Sequence, residues 1–98
     1  MTTYVLVPGF WLGGWAWDEV AARLRADGHE VHAVSPSLAA GTTVEDHIEH
    51  VTTLLGGLDE VVLAGHSYGG LVATAAADRM FSAPRELAGL LLSAGCVI

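Results

Sequence analysis

Short apolar runs alternate along the chain with longer stretches in which apolar residues recur every three or four positions. The short runs predict buried strands at Tyr4–Val7, Glu30–Val34, Glu60–Ala64 and Leu87–Leu92. The longer stretches predict helices from near Trp15 to Gly28, from Thr42 to Gly56 and from Leu71 to Met80. This β-α-β-α-β-α-β order indicates an α/β fold, an open parallel sheet with helices on both faces.

Local signals set the expected ends of the helices. Gly28 is the expected C′ residue of the first helix. Thr42 and Glu45 have the spacing of a capping box, with Thr42 as the N-cap of the second helix. The apolar stripe of that helix is expected to comprise Val44, Ile48, Val51 and Leu55.

The third predicted strand runs directly into Gly65-His66-Ser67-Tyr68-Gly69, a Gly-x-Ser-x-Gly motif, and a helix follows. Strand, sharp turn and helix are the context that a nucleophile elbow requires. Gly65 and Gly69 lack a Cβ and would let the strand and the helix approach closely. The competing interpretation is a tight turn whose serine only caps a helix.

Net charge, cysteine content and the length of the apolar runs each exclude some classes of partner or location. The 98 residues carry a net charge of −7 with four basic residues, which argues against nucleic acid and anionic membranes as partners. Cys96 is the single cysteine, so no intrachain disulfide is expected. Pro8-Gly9 interrupts the first apolar run, and no apolar run is long enough to span a membrane. These features predict a cytoplasmic protein.

Two segments resemble one family. Both are similar to the corresponding regions of plant-type methylesterases, hydroxynitrile lyases and their bacterial relatives. The first is Leu6–Trp17, which contains Pro-Gly-Phe-Trp-Leu-Gly-Gly-Trp-Ala-Trp, and the second is Gly65–Gly70. These belong to the α/β-hydrolases. The resemblance extends to about Leu92 and implies the N-terminal half of that fold.

The resemblance implies a role for each matching residue. Ser67 would be the nucleophile, and the backbone N–H groups of Tyr68 and Phe10 would be the oxyanion donors. Trp11 and Leu12 would line the acyl or alcohol pocket, or they pack in the core; both interpretations stay open. The implied substrate is a small-molecule ester, hydrolysed through an acyl-enzyme, and no cofactor is expected.

The sequence departs from the family pattern at two points. Pro8 stands where the family usually has His. The family's catalytic order is Ser, then Asp, then His, and this chain ends before the loops that supply the acid and the base. Residues 1–98 are therefore expected to be the truncated N-terminal part of a single domain, inactive alone.

None of the five histidines is expected to replace the base. His66 adjoins the serine but should point elsewhere, and His29 and His32 fall at the opposite end of the sheet. His47 and His50 are three apart on a helix, a spacing that can bind a metal but that is more typical of a solvated face. No metal site is predicted.

Three functions are compatible with these residues. The leading one is a carboxylesterase. The second is a hydroxynitrile lyase, which fits less well because those lyases tend to carry Thr where Gly9 stands. The third is a non-catalytic half-domain that self-associates through its open sheet edge.

Overall fold

The fold is a parallel sheet flanked by helices. A computed structural model describes residues 2–9, 11–58, 60–81 and 92–94. The strands within this part are β1 (Thr3–Val7), β2 (Glu30–Ala33), β3 (Val61–Gly65) and β4 (Leu92–Ala94). They pair in the order β2-β1-β3-β4, all parallel. The α/β architecture expected from the alternating pattern is confirmed.

Three α-helices follow the strands in turn: α1 (Asp18–Ala26), α2 (Val44–Leu55) and α3 (Tyr68–Phe81). A short 3₁₀ helix at Gly14–Trp17 leads into α1. Gly28 has φ of 88° and its N–H donates to the Arg25 carbonyl, so it is the C′ residue that the sequence predicts. In the part of the chain that is described, no helix is both long and apolar enough to cross a bilayer.

The alternation of side chains along β1 divides the core between the two faces of the sheet. Val5 and Val7 point to the face covered by α2 and α3, and Leu6 points to the face covered by α1. The first cluster also contains buried residues of the neighbouring elements: Val34, Ile48, Val51, Leu55, Val61, Leu63, Val72, Ala73, Ala76, Ala77 and Met80. Among the residues that the structure describes, the buried members of the second cluster are Leu6, Ala21 and Val31.

The start of α2 differs from the sequence prediction by one residue. The N-cap is Thr43, whose Oγ1 accepts from the Asp46 N–H at 3.1 Å while the Asp46 carboxylate accepts from the Thr43 N–H at 2.9 Å. Thr42 instead closes a turn, with its N–H donating to the Ala39 carbonyl at 3.1 Å. Val44 is the first helical residue and is 45% exposed, whereas Ile48, Val51 and Leu55 of the same apolar stripe are buried.

Two further boundaries bear on the site. Helix α3 begins at Tyr68, three residues before the predicted start, because the helix follows the serine turn without a linker. The predicted strand Leu87–Leu92 lies outside the described residues apart from Leu92, where β4 begins.

Candidate active site

The serine of the motif lies in a sharp turn between β3 and α3. Ser67 has φ of 55°, a left-handed conformation that non-glycine residues seldom adopt. Such a conformation costs on the order of 1–3 kcal/mol and persists only where the surrounding structure imposes it. A strained serine between a strand and a helix is the geometry of a nucleophile elbow.

Backbone hydrogen bonds hold this turn against the neighbouring strand. The His66 N–H donates to the Val7 carbonyl at 3.1 Å, which extends the pairing of β1 and β3 to the residue before the serine. The N–H groups of Gly69 and Gly70 donate to the carbonyls of His66 and Ser67, both at 2.9 Å. The serine is therefore fixed from both sides.

Two glycines allow the close approach of strand and helix. A Cβ on Gly69 would overlap the carbonyl oxygens of Val7 and Pro8. A Cβ on Gly65 would overlap the Gly69 carbonyl and lie 2.5 Å from the Gly70 nitrogen. These obstacles are backbone atoms, which cannot rotate away, so the close-packing role predicted for both glycines is confirmed.

Of the two residues expected to donate to an oxyanion, Tyr68 belongs to the described part of the chain and Phe10 does not. Tyr68 is the first residue of α3, so its N–H lies at the N-terminal end of that helix, directly after the serine. Phe10 lies outside the described residues. Beside it, the Leu12 N–H donates to the Gly9 carbonyl at 3.2 Å, and Trp11 has φ of 66°. The loop after β1 is thus tightly turned next to the elbow.

Trp11 and Leu12, the candidate pocket residues, line separate cavities. Trp11 is 67% exposed and borders a cavity of about 130 Å³. The other residues lining that cavity are Ser37, Leu38, Ala39, Thr42 and His47. Leu12 borders an apolar cavity of about 260 Å³, lined also by Pro8, Gly9, Ala16, Trp17, Val20 and His66. A third cavity, of about 500 Å³, is lined among the described residues by side chains of α2 and by none of the serine turn.

His47 has a different environment from the one the sequence predicts. It is only 8% exposed, although the pattern placed it on a solvated face with His50. Its Nδ1 lies 2.7 Å from the Tyr68 hydroxyl and its Nε2 lies 2.8 Å from the Ser37 carbonyl oxygen. The available signal was its spacing of four and eight residues from Val51 and Leu55, which puts it on the buried stripe.

Tyr68 connects this histidine to the elbow. Its side chain packs partly buried against the larger core cluster, with its ring edge-on to His47 at a centroid distance of 5.8 Å. Burial raises the pKa of the Tyr68 hydroxyl above its ordinary value of 10.0, so the group remains protonated at neutral pH.

His29 and His32 make their contacts away from the serine, and His50 is exposed on α2, as the sequence predicts. His29 Nδ1 accepts from the Thr2 N–H at 3.1 Å, and His32 lies 2.5 Å from Glu30. His66 is exposed and borders the apolar cavity near Leu12. Within residues 2–9, 11–58, 60–81 and 92–94, no group of three or more His, Cys, Asp or Glu side chains could hold a metal ion; Cys96 falls outside these ranges.

Comparison with known proteins agrees with this geometry. The profile of the alpha/beta hydrolase family matches residues 4–98, nearly the whole chain. The chain belongs to the alpha/beta hydrolase family. The resemblance noted in the loop after β1 and in the serine motif is thereby confirmed.

Several curated relatives from this family are esterases by name. The chain is 39% identical over 99 residues to a carbendazim hydrolyzing esterase of Nocardioides sp. (strain SG-4G), covering 89% of this chain and 40% of that protein. It is 38% identical over 87 residues to methylesterase 8 of Arabidopsis thaliana, covering 78% of this chain and 32% of that protein. The chain thus spans about two fifths or less of the length of these alpha/beta hydrolases.

Solved alpha/beta hydrolase structures show the same arrangement of elements. Polyneuridine aldehyde esterase superposes with a TM-score of 0.76 at 30% identity, covering 84% of this chain and 36% of that chain. An extracellular alpha/beta-hydrolase from a Paenibacillus species gives a TM-score of 0.71 at 29% identity, covering 81% and 36%. The likeness supports the open parallel sheet as the N-terminal part of the family fold.

Proposed function

We propose that this chain is the nucleophile-bearing, N-terminal part of a serine esterase that hydrolyses small-molecule esters. The observation that carries the proposal is Ser67 at φ of 55° between β3 and α3, held by backbone bonds on both sides. A serine that merely capped a helix would have an extended backbone and would need no such strain. The names of the curated relatives support ester substrates.

In the proposed reaction the Ser67 Oγ attacks the ester carbonyl carbon while a general base removes its proton. The carbonyl electrons move to the oxygen, where the N–H groups of Tyr68 and Phe10 stabilise the negative charge. Collapse of this intermediate breaks the bond to the alcohol, which takes the proton from the base. Water then attacks the acyl-enzyme in the same way and releases the acid.

The proposal needs a base that hydrogen-bonds Ser67, and the contacts of His29, His32 and His47 lie elsewhere. The family order places the acid and the histidine after the serine in the chain. We therefore propose that residues 1–98 belong to a single hydrolase domain whose base comes from residues later than the described ones. By themselves these residues are expected to turn over esters very slowly.

Labelling with a fluorophosphonate probe tests the role of the serine without requiring turnover. Added imidazole would supply a general base, and intact-mass spectra would follow the adduct. The expected result is one adduct on the unaltered chain, mapped to Ser67, and none on Ser67→Ala. Thr53→Ala, which removes an exposed hydroxyl from α2, is the control and should label normally. Equal labelling of Ser67→Ala would contradict the proposal.

Self-association remains the second candidate. Strands β2 and β4 are the outer strands of the described sheet, and an uncovered strand edge can pair with another copy. Size-exclusion chromatography with light scattering distinguishes the two functions. An oligomer that is not labelled at Ser67 would favour a non-catalytic role, and a labelled monomer would exclude it.

A further inference from the structure

The His47 ring joins three segments beside the serine turn. Helix α2 carries the ring, the loop after β2 supplies the Ser37 carbonyl at 2.8 Å, and the start of α3 supplies the Tyr68 hydroxyl at 2.7 Å. Both ring nitrogens therefore have partners, on residues 10 and 21 positions away. A buried ring bonded at both nitrogens can neither flip nor rotate without losing a contact.

The direction of each bond follows from the chemistry of its partner. The Ser37 carbonyl can only accept, so His47 Nε2 carries the proton. In the neutral ring Nδ1 is then an acceptor, and the Tyr68 hydroxyl donates to it. The chain of donors thus runs from the Tyr68 hydroxyl to His47 and from His47 to the Ser37 carbonyl.

The start of α3 needs such an anchor. Its first turn contains Gly69, which the close packing requires, and Gly70, and both glycines give the backbone more freedom than other residues would. Tyr68 is the one residue of this first turn before Leu71 that has a side chain.

We propose that His47 is a positioning residue for the serine turn. By accepting the hydrogen bond of the Tyr68 hydroxyl, it holds the first turn of α3 and orients the Tyr68 N–H toward a developing oxyanion. The proposal rests on the proposed esterase function for the use of that N–H, since oxyanion donors stabilise charge best when they are fixed beforehand. The anchoring itself is independent of the reaction.

The location of the ring fits this role. His47 borders the cavity of about 130 Å³ that Trp11 and Leu38 also line. Trp11 belongs to the loop after β1, which turns next to the elbow. The anchor therefore lies between the helical core and the space beside the candidate site.

Three substitutions distinguish the contributions of the two hydrogen bonds that the His47 ring makes. Tyr68→Phe removes the donor hydroxyl and keeps the aromatic ring. His47→Asn places an acceptor at the position of Nδ1 and loses the contact with Ser37. His47→Gln places a donor at the position of Nε2 and loses the contact with Tyr68. His47→Asn is thus the rescuing variant and His47→Gln its matched control.

Amide hydrogen exchange, measured by NMR on the whole chain, is the first readout. In Tyr68→Phe and His47→Gln, the exchange rates of the 67–70 amides should rise about fivefold, because that factor corresponds to the net free energy of one hydrogen bond. The amides of 73–77 should be unchanged, and His47→Asn should resemble the unaltered protein. The ¹⁵N shifts of the unaltered protein should show a protonated Nε2 and an unprotonated Nδ1.

The second readout is the rate of fluorophosphonate labelling at Ser67 with imidazole present. It should fall about fivefold in Tyr68→Phe and His47→Gln and remain near normal in His47→Asn. No labelling of the unaltered chain would count against the esterase function, whereas the exchange pattern would still test the anchor. A uniform rise in exchange along α3, or equal behaviour of His47→Asn and His47→Gln, would overturn the positioning role.

Discussion

Val5 and Leu6 are neighbours on β1, yet their side chains enter very different surroundings. Val5 joins a cluster that has thirteen buried members in the described part of the chain, between the sheet and helices α2 and α3. Leu6 joins Ala21 and Val31 on the opposite face, where α1 is the covering helix among the described residues. The remaining contacts on that face come from partly buried side chains: Tyr4, Trp17, Leu24 and Ala64.

This difference shows which face supports the candidate site. Helix α3 starts at the serine turn and continues through the larger cluster with Val72, Ala73 and Ala76, so the position of the turn depends on that packing. The α1 face instead borders the apolar cavity near Leu12 and His66. Substitutions on the α2 and α3 face should therefore lower the stability of the fold and also displace the serine turn. Substitutions on the α1 face should chiefly lower stability.

The largest effect is expected where strand and helix touch. Gly69→Ala should lower the free energy of unfolding by at least about 4 kcal/mol, because its Cβ meets backbone atoms of Val7 and Pro8 that cannot yield. Urea unfolding followed by circular dichroism measures this. Gly57→Ala is the control, since its Cβ would lie 3.8 Å from the Leu54 carbonyl oxygen. Similar unfolding midpoints for the two variants would refute the close approach.

A pair of leucines tests the comparison of faces directly. Leu55 is fully buried on α2. Leu55→Ala should lower the free energy of unfolding by about 3 kcal/mol, because it removes buried apolar surface and leaves a cavity. Leu24 on α1 is only partly buried, so Leu24→Ala should cost about 1 kcal/mol. Unfolding in urea gives both values. If Leu24→Ala is the more damaging change, the assignment of the main core to the α2 and α3 face is wrong.

A smaller effect is expected at high pH. Because burial holds the pKa of Tyr68 above 10.0 in the folded chain, its contribution to stability is complete below pH 10.0 and is lost as the pH rises through the raised value. Unfolding measured from pH 8 to pH 11 should show this decline, and Tyr68→Phe should make it shallower. Identical pH profiles for the two proteins would show that Tyr68 does not contribute to the alkaline loss.

The sequence predicted well those features that depend on local pattern. Alternation and glycine breaks placed β1 and α1 close to where they lie, and Gly28 has the conformation expected of a C′ residue. The serine motif between a strand and a helix was sufficient to anticipate a strained turn at Ser67. In each case the residues responsible are adjacent in the chain.

The features that were missed depend on contacts between distant residues. His47 is buried because Tyr68 and Ser37 satisfy its nitrogens, and a polar ring without such partners would have remained in solvent. The N-cap is Thr43, whose Oγ1 accepts from the Asp46 N–H, whereas the Thr42 Oγ1 is bonded to the Ser37 hydroxyl five residues earlier. A helical pattern gives the direction of a side chain but does not identify its partner across the fold.

The left-handed backbone of Ser67 carries an evolutionary consequence. Glycine adopts this conformation without strain, so Ser67→Gly should stabilise the fold by about 1 kcal/mol while removing the hydroxyl. Selection for thermal robustness alone would favour glycine at this position. At this position the requirement for a nucleophile and the requirement for stability favour different residues. A selection for stability alone should therefore replace this serine by glycine early.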